Sequence, residues 1–347
     1  MKHWPGGMRT VCSAAVLWLC CVASFSVRAD SEPQAWLGRM ERALSTLNYE
    51  GTLVQMHGGE ASLMHVVHRV HAGVTAERIT AMDEIGREII RRGDEVICIF
   101  PDQRTVIVDR RSNPVSGTSP LRQQFPDDIR FDDDHYRFAI ASGGRLVGRQ
   151  TWMITVKPMD RYRYGYSLWL DRSTAMPLKV QISAEDGSVV EQLLFSEISL
   201  PTRIPAAALD PSVSTEGFTW RQSDPPVASV PAGQAGEVRS AWWAESLPPG
   251  FQLQTVRSRQ VENDDIPMEQ LVYSDGIASV SVFVESGVTA TEQGEGVSRI
   301  GAANAYTAMT GVYLVTAVGE VPVRTVEMIA KSLQKNDGDP LASDLRQ

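Results

Sequence analysis

Three histidines spaced by three, His65, His68 and His71, are the first residues whose type and spacing could do chemistry, as a metal set. On an extended strand His65 and His71 share a face while His68 points away. Three imidazoles then fail to converge on one ion, and solvent-facing or hydrogen-bonded roles fit better. Asp132-Asp133-Asp134-His135 is an acidic cluster without the glycine and the twelfth-position glutamate of a calcium loop, so it reads as a solvated turn. Ser332 and Lys335 form a Ser-x-x-Lys match, but at the end of a helical pattern beside a polar tail. Gly294-Glu295-Gly296 starts like a dinucleotide fingerprint and then has Arg299 where the third glycine belongs. The expectation is a protein that is not an enzyme, with no catalytic residue, no metal site and no cofactor.

The first 29 residues carry Lys2 and Arg9, an uncharged run from Val11 to Val27, and Val27-Arg28-Ala29. They read as a cleavable secretory signal, because 17 uncharged residues fall short of the roughly 20 that a spanning helix needs. Cleavage after Ala29 removes three basic residues and no acidic one, moving the formal net charge from -9 to -12. Such an acidic chain gives nucleic-acid phosphate no general reason to approach, and no nucleic-acid partner is expected. Cys12, Cys20 and Cys21 leave with the signal. Cys98 alone closes no intrachain disulfide, and in Val96-Ile97-Cys98-Ile99-Phe100 it reads as a small buried hydrophobe.

The elements that position these residues follow from patterning. Asp30, Ser31 and Pro33 predict a helix start, with Trp36, Leu37, Met40, Ala43, Leu44 and Leu47 on one stripe. About ten short β-rich runs separated by Gly, Asp and Pro follow before residue 200, interrupted by a polar stretch from Ser112 to Asp134. Six prolines between Pro201 and Pro231 predict an extended linker. Beyond it, four further strand patterns and a helix opened by Pro322 predict a small α+β unit. The domains are thus a signal over 1–29, a large β domain over 30–200, a Pro-rich linker over 201–238, a small α+β domain over 239–334 and a polar tail over 335–347.

A sheet of about ten antiparallel strands with few helices must curl, leaving a concave face that the first helix would plug. Several strands are apolar on both sides: Val96, Cys98 and Phe100 oppose Ile97 and Ile99, and Leu168 and Leu170 oppose Trp169. The second face must then meet a helix, a partner or an apolar ligand. Met64, Val66, Val96, Phe100, Trp152, Ile154 and Leu168 are the candidate lining of an acyl-chain site, since pliable methionines and flat aromatics tolerate varied chains. Ordinary core filling accounts for them equally well. Arg161, Arg163 and Tyr164, in an Arg/Tyr alternation from Arg161 to Tyr166, could meet lipid phosphate or a peptide, or form a solvated face. In the small domain, Tyr273 and Phe283 lie on a segment that could offer an edge strand to a partner or be paired on both sides already.

Particular stretches resemble the periplasmic sigma-factor regulators of the RseB/MucB family. In the large domain these are Tyr49-Glu50-Gly51-Thr52, His68-Arg69, Glu77-Arg78, Arg87-Glu88, Pro101-Asp102, Arg161-Tyr162-Arg163-Tyr164-Gly165-Tyr166 and Leu168-Trp169-Leu170-Asp171. In the small domain they are Leu247-Pro248-Pro249-Gly250-Phe251, Ser274-Asp275-Gly276, Ser279 to Glu285 and Val318-Gly319-Glu320-Val321-Pro322. The resemblance implies a large domain similar to the lipoprotein carriers LolA and LolB, an open curled antiparallel barrel with covering helices, and a smaller C-terminal α+β domain. It further implies a periplasmic negative regulator of envelope stress that grips the periplasmic part of an RseA/MucA-type anti-sigma factor and shields it from site-1 proteolysis by a DegS- or AlgW-type protease. Lipopolysaccharide or another acylated lipid would relieve it. Homo-oligomerisation is compatible with this reading. The rival expectation is a periplasmic carrier of lipid or lipoprotein, against which the second domain argues.

Overall fold

The computed structural model describes residues 32–110, 121, 134–222, 230–231, 240–259, 268–286 and 295–336. The expected signal over 1–29, Asp132, Asp133, Gly294 and most of the polar tail lie outside the described residues. Among the described residues no helix is long and apolar enough to cross a membrane.

Helix α1 (Pro33–Thr46) starts with proline in its first turn, where the missing N–H is harmless. It buries Trp36, Leu37, Met40, Ala43 and Leu44, the predicted stripe. The large sheet then forms from β1 (Tyr49–His57), β2 (Glu60–His71), β3 (Val74–Ala81), β4 (Glu88–Arg92), β5 (Glu95–Phe100), β6 (Thr105–Arg110), β7 (Tyr136–Leu146), β8 (Arg149–Pro158), β9 (Gly165–Asp171), β10 (Pro177–Ser183), β11 (Val189–Ser199) and β12 (Thr219–Gln222). The strand order is β12-β6-β5-β4-β3-β2-β1-β11-β10-β9-β8-β7, so two meanders are joined where β11 pairs with β1. Among the described residues the ends of the sheet do not pair with each other, which leaves it open. Every pairing is antiparallel except β12 with β6.

At the joint, the β1–β11 register slips between Thr52 and Leu53. A Cβ on Gly51 would strike the Glu197 carbonyl oxygen, so the two backbones approach this closely only with glycine there.

The predicted linker differs from the structure. Residues 201–222 turn back onto the large sheet: a 3-10 turn (Ala206–Leu209) and then β12 lie against it. Ile204 and Leu209 pack on Val67 and Ala76, while Val213 and Phe218 cover Ile90, Ile97, Ile99, Val106 and Val108. This explains why β5 is apolar on both sides. The outer row has its own cover, supplied by a proline-rich strap with enough hydrophobic side chains to bury.

The small domain carries β13 (Val230–Pro231), β14 (Trp242–Ala244), β15 (Gln252–Arg259), β16 (Met268–Ser274), β17 (Ser279–Ser286), β18 (Gly296–Ile300), β19 (Ala303–Thr310), β20 (Tyr313–Gly319) and β21 (Leu333–Lys335). Seven of these form an antiparallel sheet in the order β13-β15-β16-β17-β20-β19-β18, and β14 pairs with β21. Helix α2 (Val323–Lys331) follows Pro322 and buries Val326, Ile329 and Ala330 against β19 and β20. The fold is therefore mainly β, with an open curled sheet and a smaller α+β unit.

Candidate functional site

Directly opposed residues of paired strands point to the same side, so register alone assigns the faces of the large sheet. Val66 opposes Ile79, Ile79 opposes Ile89, and Ile89 opposes Cys98, which shares its side with Val96 and Phe100. In the other direction Leu53 opposes Phe195, Leu193 opposes Val180, Val180 opposes Leu168, and Leu168 opposes Ile154. All seven candidate lining residues stand on this one side, the side that α1 covers.

They do not share one environment. Val66, Ile154 and Leu168 are 0% exposed within a core that includes Trp36, Leu37 and Met40 of α1. Met64 and Trp152 are half-buried against that core. Val96 is buried and Phe100 half-buried on the β4–β6 limb, beside half-buried Ile89, Cys98 and Ile107. With α1 seated, the inner row beneath the helix is packed protein interior.

His68 turns inward and stacks on Tyr49 with ring centroids 4.5 Å apart, its Nδ1 2.9 Å from the Leu47 carbonyl oxygen. His65 is on the other face, 3.6 Å from Glu50. The Ser332 hydroxyl donates to the Ser246 carbonyl at 2.8 Å, fastening α2 to the chain before β15.

The Arg/Tyr alternation that resembles a strand is a loop up to Gly165, and it forms the seam between the domains. Arg163 is 1% exposed. Its guanidinium donates to Asp160, to Asp275 of the small domain and to the Pro249 carbonyl. The Tyr136 hydroxyl donates to the same Asp275 carboxylate at 2.8 Å, and the rings of Tyr136 and Phe251 flank the guanidinium. Asp275 also accepts from the backbone N–H groups of Ile277 and Ala278. Burial works against the Arg163 charge, but hydrogen bonding and attraction from Asp275 outweigh it and hold its pKa above the usual arginine value. Burial, followed by the Asp275 charge, raises the Tyr136 phenol well above its ordinary range.

Around this ion pair the seam is closed by directed bonds. Asn304 donates to the Tyr164 hydroxyl at 2.9 Å, the Ala302 N–H donates to Glu191 at 3.0 Å, and Thr325 donates to the Tyr162 carbonyl at 2.7 Å. Ile277 and Ala302 of the small domain belong to the large domain's apolar core. Arg163 and Tyr164, expected at a partner surface, are thus consumed in holding the two domains together. A side chain bonded on three sides has nothing left for a visitor in this arrangement. Arg161 is different. It is exposed beside the Tyr162 ring and lines a cavity of about 800 Å³ with Lys157, Met159, Glu185 and Asp186.

Of the two alternatives for Tyr273 and Phe283, the structure has the strands already paired on both sides. β16 lies between β15 and β17, and β17 between β16 and β20, so neither strand is an edge. Tyr273 is 2% exposed in the small domain's core, and burial pushes its phenol up to about 12. Sequence reasoning missed Asp275 and Glu320. The Ser274-Asp275-Gly276 turn and Glu320 just before Pro322 were visible, but nothing local reveals that each faces the other domain.

The comparisons with known proteins match this architecture. The family described as the MucB/RseB N-terminal domain matches residues 32–213, and the MucB/RseB C-terminal domain matches residues 236–334. The sigma factor AlgU regulatory protein MucB of Pseudomonas aeruginosa is 28% identical over 332 residues, 94% of this chain and 98% of that protein. The sigma-E factor regulatory protein RseB of Escherichia coli K12 is 26% identical, covering 89% of this chain and 93% of that protein. Among solved structures, the complex of Pseudomonas aeruginosa MucA and MucB aligns at a TM-score of 0.64 with 25% identity, over 88% of this chain and 99% of that one. Both matched domains together span most of the sequence, and the chain belongs to the MucB/RseB family.

Proposed function

We propose that this chain is a periplasmic negative regulator that binds the periplasmic part of a MucA/RseA-type anti-sigma factor, shields it from the first proteolytic cut, and is released by an acylated lipid. The observation that carries the regulatory part is the match, through both domains, to a relative solved in complex with MucA. The buried Arg163–Asp275 seam supports it physically, because a partner that spans two lobes needs them held in one arrangement. Relatives over nearly the whole length are named as regulatory proteins.

The lipid step is plausible in size. Burying about a dozen methylenes at roughly 0.8 kcal/mol each gains at most on the order of 10 kcal/mol. Turning a 1:99 equilibrium into 99:1 needs about 5.5 kcal/mol of differential affinity. One chain is enough, provided most of its burial exists only in the released state. The inner face beneath α1 is packed, so the acyl chain would enter by displacing α1 or along the β4–β6 limb.

The test mixes the mature protein with the periplasmic domain of its anti-sigma factor and the site-1 protease, and follows cleavage with and without lipopolysaccharide. Protection that lipopolysaccharide removes is the expected result. Equal cleavage in every mixture would refute the regulator, and transfer of acyl chains between two acceptors would favour a carrier.

A further inference from the structure

We propose that the rim of the large sheet around the β7–β8 and β9–β10 turns is a phosphate-recognition site, in which Arg172, held over the Trp152 ring, receives the anionic headgroup of an acylated amphiphile. The inference rests on the lipid reading above and adds the place and chemistry of the headgroup. The rim is formed by the β7–β8 turn, the β9–β10 turn and α1, at the opposite end of the strands from the Arg163 seam.

Three contacts make one column. The Arg39 guanidinium carbon lies 4.9 Å from the Trp36 ring centre, Trp36 and Trp152 are 6.4 Å apart, and the Arg172 guanidinium carbon lies 3.7 Å over Trp152. Arg172 is fixed in place by bonds from Nε to the Thr151 carbonyl at 3.1 Å and from Nη2 to the Ser142 hydroxyl at 3.0 Å. Neither partner is a carboxylate, so among the described residues its charge is oriented but not neutralised. Arg149 pairs with Asp171 at 2.7 Å, and Arg145 donates to the carbonyl of Gly148 in the turn itself. Residues 142–152 and 169–176 thus hold three arginines and one aspartate in a chain of net charge -9.

The column joins two kinds of surface. Trp152 stands on the inner face opposite Leu170 and is half-buried, with Ile154 next along that face. An indole suits a position with one apolar side and one wet side. A planar guanidinium over it offers paired N–H donors to phosphate oxygens, a geometry that an ammonium cannot copy. An amphiphile whose chain took the place of α1 on the inner face would set its headgroup against Arg172, which the sheet and its turns hold without help from the helix. A guanidinium that only shields an indole predicts instead a loss of stability on substitution and no preference among ligands.

The test uses the full mature protein and titration calorimetry with dodecyl phosphate, dodecyl maltoside and inorganic phosphate. Dodecyl phosphate is expected to bind at least tenfold tighter than dodecyl maltoside. Arg172→Gln should erase that difference while leaving dodecyl maltoside affinity within about twofold. In the unaltered protein the preference should fall as salt rises from 50 to 500 mM, which keeps the test decisive if the variant does not fold. Equal affinity for the two amphiphiles overturns the headgroup site and leaves the lipid reading standing. Binding of neither overturns both, and inorganic phosphate binding as tightly as dodecyl phosphate overturns the amphiphile in favour of a free anion.

Discussion

Arg163 and Asp275, 112 residues apart in sequence, meet as an ion pair with both side chains fully buried, one from each domain. Removing one partner from such a pair strands the other charge away from water. Arg163→Ala is expected to destabilise the protein by about 3–5 kcal/mol and to loosen the domain seam, whereas Arg163→Met with Asp275→Asn, which removes both charges and keeps an acceptor for the Tyr136 hydroxyl and the Ile277 and Ala278 N–H groups, should lose less. Urea unfolding, with small-angle scattering for the domain arrangement, checks both.

Glu320 makes the seam sensitive to pH. Burial, and then the nearby Glu191 charge, raise its pKa to about 7. A carboxyl held above its unfolded value favours the folded arrangement while protonated. This contribution is complete below the ordinary carboxylate range and is lost as pH rises through about 7. The urea midpoint should therefore fall between pH 5 and pH 8, and Glu320→Gln should flatten that slope. An identical slope in the variant would assign the pH dependence to other groups.

Gly51 lies where β1 and β11 come closest, and the atoms that an added methyl would meet are mostly backbone, which cannot rotate away. Gly51→Ala should destabilise the large domain by about 1–3 kcal/mol, measured by thermal unfolding. Gly58, exposed in the β1–β2 turn with open space around it, has a positive φ of 58°, so Gly58→Asn should be nearly neutral.

Met40 is 0% exposed between α1 and the inner face. Met40→Ala should lower stability by about 2–5 kcal/mol through the cavity it leaves. If α1 moves to admit an acyl chain, the same variant should bind dodecyl maltoside more tightly. Reduced stability with unchanged affinity would place the chain on the β4–β6 limb instead.

Much of the large domain was legible because its strands alternate and its helix carries a clear stripe from Trp36 to Leu44. β7 was not, since Gly143 and Gly144 interrupt it and many of its side chains are exposed. β12 escaped because four exposed residues after a run of prolines carry no pattern; its place comes from pairing with β6. The inner face was readable because period-two spacing is a local property. The roles of Arg163, Tyr164 and Tyr273 were not, because they depend on which distant segments meet them, and an Arg/Tyr alternation looks the same in water as in a seam.

β8 connects the Arg172 turn with the Arg163 seam. Its first residues lie against the Arg172 turn, where the Arg172 N–H bonds to the Gln150 carbonyl, and its last residue, Pro158, precedes the loop that carries Arg163. Ten residues at about 3.3 Å each set these places roughly 30 Å apart. A ligand at one pole cannot touch the clasp at the other, so any message between them has to be carried by the strand and its neighbours shifting as a stiff body.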